Sequence, residues 1–419
     1  MNKAVSGNNG ISVRRSKLPT FWEFSILILI FYAFFFQYGV VSINNAMIIL
    51  NAVCILTGAV HMMSDARVRI KNTFYSYALV FVILSVLTGL VFGVSSRVVF
   101  DTGLRMIEYS LTGLSVYLFA VSHKDRYSHI VFYAWISVVL LAFAVLFKNT
   151  VVDYSGAIGI GSLNNNELSS FFILMVFCSF YLIDRADKRY KRVLIALAMA
   201  LCFITEIRTA SRRGFVVMVF MIVATEIFAV IPRSSGKNSR RRLAAYSVLL
   251  VIGAVLFIIF RNYLLTSTIL GERLSGSMIG GDAARIRYRQ FALAQFKKYP
   301  VFGVGIGGIN YLLGVYSHSL YYEVLSCTGI VGSAVMLATL IQMVKAPVKK
   351  LFGRERRSLD PDALYIYKTI FIYVVSIIAS GVAVVMIYDF NFYFSLGLIA
   401  AGMKVFENRD GVKLPEGDA

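Results

Sequence analysis

Charge is scarce in this chain. Only 15% of its 419 residues are Asp, Glu, Lys or Arg, against 58% hydrophobic residues, and the mean hydropathy is +0.72. So apolar a chain, folded in water, would leave large apolar patches uncovered, which excludes an ordinary soluble domain. Cysteine and histidine are equally rare, with four of each. Cys54, Cys178, Cys202 and Cys327 all lie inside apolar stretches, with no Cys-x-x-Cys pair and no histidine at ligand spacing. That excludes a disulfide scaffold and a zinc module. Acidic residues are the scarcer charge, 22 against 42 basic ones, for a net charge of +20. In a soluble protein such a balance would suggest nucleic acid; here what matters is where the bases sit relative to the apolar runs.

Those runs are long. About 20 residues rising 1.5 Å each cross a hydrocarbon core of about 30 Å, and candidate spans lie near 21–41, 43–61, 74–92, 102–121, 130–147, 167–183, 193–207, 214–231, 243–262, 319–342, 364–387 and 390–406. The expected fold is therefore all-α, a polytopic membrane protein with about 12 transmembrane helices. The runs at 102–121 and 193–207 are the weakest, interrupted by Arg105, Glu108 and Glu206. Residues 1–20 are polar and basic with no cleavage site after them, so a cytosolic arm rather than a cleaved leader is expected. Lys and Arg cluster in that arm and in 61–73, 184–192, 232–242 and 343–363. By the positive-inside rule, both termini, including the tail 407–419, face the cytoplasm.

The bases that break the rule mark the other face. Arg208, Arg212 and Arg213 fall outside by this count, as do Arg273, Arg285, Arg287, Arg289, Lys297 and Lys298 in the connection 263–318. Positive charge there works against the insertion bias, so a use that offsets the cost is expected. Within that connection, Asp282 to Tyr299 reads as an amphipathic helix with Asp282 as N-cap and Pro300 as terminator, its apolar side formed by Ile286, Phe291, Leu293 and Ala294. Arg285 and Arg289, four apart, share a face that Arg287 does not. Gly303, Gly305, Gly307 and Gly308 follow, read either as a flexible turn or as a nest of backbone N–H groups beside a phosphate. No Walker-type Lys-Ser/Thr accompanies them, so they give no support to a nucleotide loop.

His61, His123 and His129 fall at the cytoplasmic face, and His318 alone faces outward, at a helix start where an imidazole suits a base or a hydrogen-bond donor. Asn166 and Glu167, leading into the sixth span, suit either a helix cap or hydroxyl binding. Arginines at a bilayer edge hold phosphate oxygens through a rigid fork, which suits a lipid-linked diphosphate; headgroup contact is the competing reading.

Ser211-Arg212-Arg213-Gly214 opening a span, Arg285 to Arg289 in a helix that runs into Lys298-Tyr299-Pro300-Val301-Phe302-Gly303-Val304-Gly305, and His318-Ser319-Leu320-Tyr321 followed by Gly329-Ile330-Val331-Gly332 stand here in order. In these marks, over roughly residues 160–340, the chain resembles the polytopic bacterial glycan polymerases and O-antigen ligases, whose architecture is GT-C-like. The resemblance implies a periplasmic site acting on undecaprenyl-diphosphate-linked glycans with no cofactor or metal. It also implies His318, Arg212 and Arg289 as catalytic residues. Arg208, Arg213, Arg285, Arg287, Asn166, Glu167, Tyr321 and Glu323 would bind substrate, with His318, or else Glu323 or Glu167, as the proton acceptor. A polymerase would pass the chain to a new lipid-linked repeat; a ligase would pass it to lipid A–core. A chain-length regulator or a flippase is the implied protein partner, membrane lipids surround the protein, and nucleic acid is not a partner. A secondary transporter is the reading from another class, disfavoured because no internal repeat is visible and the ionisable residues collect at the outer edge rather than at mid-membrane.

Overall fold

The structure, a computed structural model, describes residues 21–34, 46–64, 74–147, 151–152, 158–159, 165–230, 282–354, 356 and 359–407. Its helices are α1 Phe21–Phe31, α2 Ala46–Ser64, α3 Phe74–Phe92, α4 Ser96–Ser122, α5 Tyr127–Phe147, α6 Asn165–Arg185, α7 Arg189–Thr209 and α8 Arg212–Thr225, then α9 Asp282–Lys298, α10 Gly308–Leu313, α11 Leu320–Phe352, α12 Pro361–Ser380 and α13 Phe390–Glu407. The described β-structure is a two-residue antiparallel pair, β1 Val151–Val152 with β2 Ile158–Gly159. Five stretches, Phe74–Phe92, Lys124–Phe147, Asn166–Arg185, Leu320–Phe352 and Pro361–Ser380, are long and apolar enough to cross a bilayer. The chain is thus a helical, membrane-embedded protein.

Fewer spans stand out than the about twelve expected from apolar runs. The ninth run, 243–262, lies outside the described residues, as do the arm 1–20, the part of the connection up to 281 with Arg273, and the tail beyond Glu407. α1 and α2 contribute only shorter apolar stretches, Phe21–Phe34 and Ile48–Val60. α4 and α7 hold Arg105, Glu108 and Glu206, whose charges dilute the apolar run. The run 364–387 also ends early: α12 stops at Ser380, and 381–389 form a turned connection whose Gly381 and Val384 carbonyls accept the Leu320 N–H at 2.8 and 3.0 Å. That connection carries Tyr388 and Asp389.

At the centre runs α13, apolar on every side and buried from Phe390 to Met403, as a helix hydrophobic all round must be. It packs along α4. A Cβ on Gly113 would meet the Tyr393 carbonyl oxygen at 2.3 Å, and one on Gly397 the Gly113 carbonyl oxygen at 2.2 Å, so the two helices touch backbone to backbone in the manner of small-residue crossings in membranes.

The glycine segment is neither a flexible turn nor an open nest. α11 breaks at Gly329 (φ 62°, ψ −161°), and residues 300–305 wedge into the break. The Val304 and Gly305 N–H groups donate to the Ser326 and Cys327 carbonyls, both at 2.9 Å, and Ile330 N–H donates to the Pro300 carbonyl at 2.8 Å. The Gly303, Gly307 and Gly308 N–H groups are also taken, by the Tyr299 carbonyl, the Tyr388 hydroxyl and the Gly305 carbonyl. No phosphate nest is left among these donors. A Cβ on Gly303 would sit 2.4 Å from the Cys327 carbonyl carbon, so close backbone approach is what these glycines serve.

Candidate functional site

Four connections meet at one end of the bundle: the α7–α8 turn, the segment 299–319, the α12–α13 connection and the start of α6. The two non-glycine residues with positive φ among those described, Ala210 (54°) and His318 (56°), both sit here. Such conformations are costly and persist only where the surroundings over-determine them. Ala210 turns the chain out of α7, and Ser211 then caps α8 by accepting the Gly214 N–H at 3.2 Å.

Of the adjacent arginines, Arg213 reaches inward. Its Nη2 donates to the Asn166 carbonyl and, at 3.1 Å, to Ser170 Oγ. Its Nε and Nη1 are buried without a hydrogen-bond partner. Glu206, Asp389, Arg285 and Glu167 all act on it electrostatically. Arg212, which the resemblance gave as the catalytic arginine, lies beside it, half-buried on the first turn of α8. Beneath the turn, fully buried Glu206 accepts from Ser169 Oγ at 2.7 Å, and a Cβ on Gly214 would fall 1.9 Å from its Oε1. Only glycine at 214 leaves that carboxylate its place.

On α9, Arg285, Tyr288, Arg289 and Ala292 share the packed face, while Arg287 is exposed. The expected apolar side is buried only in part: Phe291 packs beside Ala292 against Val304, Ile309 and Cys327, while Ile286 is 50% exposed and Ala294 is exposed. Arg289 Nη2 donates to the Val382 carbonyl at 3.0 Å, and its Nε is buried and unpartnered. Tyr288 stacks on the His318 ring at 5.7 Å between centroids. Burial, then the nearby Arg285 and Arg289 guanidinium groups, pushes the His318 imidazole below its ordinary pKa, which favours the neutral, proton-accepting form. Tyr316, two residues before it, is pushed up to about 12 by burial and then by the Glu323 and Asp389 carboxylates, and stays a hydrogen-bonding phenol.

The remaining sequence candidates divide. Glu167 is half-buried and in electrostatic reach of Arg213 and Tyr316. Asn166, in the first turn of α6, is tied to the α7–α8 turn, its Oδ1 accepting from Ser211 Oγ at 3.1 Å. Tyr321 donates to the Ile378 carbonyl at 2.6 Å, a tie between helices. Arg208 is exposed and points to the Leu146 carbonyl at 3.5 Å, away from the cluster. Glu323 is fully buried with both oxygens engaged, so it turns no face to a ligand.

No family model matches the chain, and neither does any curated protein.

Asp389 and Arg105 were missed as site residues. Asp389 enters from the α12–α13 connection, acts on Arg213 and Tyr316, and lines a cavity with Ser170, Ser380 and Asn391. Arg105 reaches Tyr316 electrostatically from α4. The signal available was an ionisable residue inside or between apolar runs, which is a functional marker by default. No group of three or more His, Cys, Asp or Glu side chains arranged to hold a metal occurs among the described residues.

Proposed function

We propose that the protein is a glycan transferase, taking a chain from an undecaprenyl-diphosphate-linked donor at the outer face of a bacterial inner membrane. The observation carrying this reading is the convergence of Arg213, Arg285 and Arg289 with His318 and Asp389 at one end of an apolar bundle. Forked guanidinium groups suit a diphosphate, Arg213 and Arg289 keep N–H donors without a partner among the described residues, and such charge is costly at a bilayer edge unless an anion uses it. The diphosphate is the leaving group. A hydroxyl oxygen of the acceptor forms the new bond to the anomeric carbon while the bond from that carbon to the phosphate oxygen breaks. The electron pair leaves on the diphosphate, which the arginines hold, and the hydroxyl proton passes to neutral His318. Direct displacement inverts the anomeric centre.

Transfer to a new lipid-linked repeat, the polymerase reaction, is the preferred form; transfer to lipid A–core uses the same donor chemistry. The test is the protein purified into lipid with a defined undecaprenyl-diphosphate glycan and each acceptor in turn. Longer lipid-linked glycan with release of undecaprenyl diphosphate supports the polymerase, and glycosylated lipid A–core supports the ligase. Release from neither mixture rejects the transferase.

A further inference from the structure

A carboxylate buried without a cation is expensive, and Glu323 is such a group: it is 0% exposed, and its partners are hydrogen-bond donors rather than a salt-bridging cation. Its Oε2 accepts the Ser317 N–H at 2.9 Å, and its Oε1 accepts the Tyr388 hydroxyl at 3.3 Å, with Cys327 Sγ at 3.6 Å. The Tyr388 oxygen in turn accepts the Gly307 N–H at 3.0 Å. One side chain on α11 therefore ties together the glycine segment, the chain entering His318 and the α12–α13 connection that carries Asp389. It reaches all three from the interior.

His318 needs such a fixture. Its backbone is left-handed, at φ 56°, without the freedom of glycine. Both neighbours are buried and pinned while His318 itself is half-exposed. On one side the Ser317 N–H is held by Glu323, and Ser317 Oγ spans to the Ser319 carbonyl at 3.0 Å. On the other, the Leu320 N–H is held by the Gly381 and Val384 carbonyls. Of these holds, only the one from Glu323 comes from a side chain within α11, in its first turn.

We infer that Glu323 is a positioning residue for His318, acting through the Ser317 N–H and seconded by Tyr388, and that it neither binds substrate nor takes the proton. The inference rests on the reading of His318 as the base only for its effect on turnover; the fixture itself can be read separately. The experiment compares Glu323→Ala, Glu323→Gln, Tyr388→Phe and His318→Ala in lipid-reconstituted protein. Two quantities are read: kcat and KM for the undecaprenyl-diphosphate glycan, and the rate at which diethyl pyrocarbonate modifies His318, followed on its own peptide by mass spectrometry. A misplacement of about 1 Å costs up to about 10²-fold. The expected result is a fall in kcat of about 10- to 100-fold in Glu323→Ala with donor KM nearly unchanged and an altered His318 modification rate. Glu323→Gln keeps an acceptor oxygen for Ser317 and recovers most of both. Tyr388→Phe gives a smaller loss in the same direction, and it carries the test if Glu323→Ala fails to fold. An unaltered modification rate in the folded variants overturns the inference, as does Glu323→Gln failing like Glu323→Ala while His318 reacts normally, since that assigns the carboxylate a chemical role. Wild-type turnover in His318→Ala would sink the base instead, and the modification rates would still decide the fixture.

Discussion

The two ends of the bundle differ in what their described charges meet. Ion pairs formed between described residues all lie at the end away from His318: Arg126 and His129 with Glu23, Lys191 with Asp187, and Lys350 and Lys404 with Glu407. Arg185, at the same end, lies over the rings of Tyr181 and Phe406 at 4.7 and 5.1 Å, with its Nε and Nη2 buried and without a hydrogen-bond partner among the described residues. At the His318 end, Arg213 and Arg289 spend part of their donors on carbonyls and a hydroxyl and leave others buried and open. Charge that is paired within the protein holds helices together. At the His318 end the described cations meet backbone and hydroxyl oxygens instead, and under the proposed function their remaining donors are what a diphosphate would meet.

The sharpest way to break this contrast is at the base. His318→Ala should lower transfer by about 10²–10⁴-fold with insertion intact, measured as turnover at saturating donor. Near-normal turnover would make the His318 end structural like the other. Next, Arg213→Lys and Arg289→Lys keep the charge but lose the fork, and each should cost on the order of 10²-fold in transfer. Arg208→Lys, outside the cluster, should cost little, and equal losses in all three would point to headgroup contact. A third, smaller effect is on stability: Gly214→Ala drives a methyl toward Glu206 and should cost about 1–3 kcal/mol, read from thermal unfolding in detergent.

The fourth prediction concerns pH. Because His318 is held below its ordinary value of about 6.5, the neutral base persists to lower pH, and the acid limb of kcat/KM should lie below that value. Arg285→Gln removes a cation that depresses it, so the limb should move to higher pH; an unmoved limb would detach Arg285 from His318. The smallest expected effect on activity comes from the opposite end. Glu23→Gln should lower the unfolding temperature by breaking the Arg126 pair, yet leave turnover of the folded protein within about twofold.

Much of the candidate site was legible because charge in an apolar chain is conspicuous. Arg213, Arg285, Arg289 and His318 stand out against their surroundings, and the helical repeat alone places Arg285 and Arg289 together. Asp389 was legible only as an ionisable residue between apolar runs; its place beside Arg213 was not, since such a carboxylate reads as an ordinary turn until α12 is seen to end at Ser380. The packed side of α9 was misread in part for a related reason: the apolar residues Ile286 and Ala294 predict an inward face only if the helix lies on an oily surface, and α9 lies on protein instead.

By itself the sequence determined that the chain is helical and membrane-embedded, because apolar runs of bilayer length leave no other way to satisfy the backbone. It also determined which end of the chain's spans carries the unusual cations. Tertiary structure decided what periodicity cannot carry. It turned Arg213 toward Asn166 and Ser170, since the capped turn after Ala210 sets the rotation of α8. It turned the glycine segment from a loop into a wedge, since Gly329 breaks α11 and frees carbonyls that must be paired. And it took Glu323 out of reach of any ligand, because donors from the segment 299–319, from the α12–α13 connection and from α11 itself close around its carboxylate.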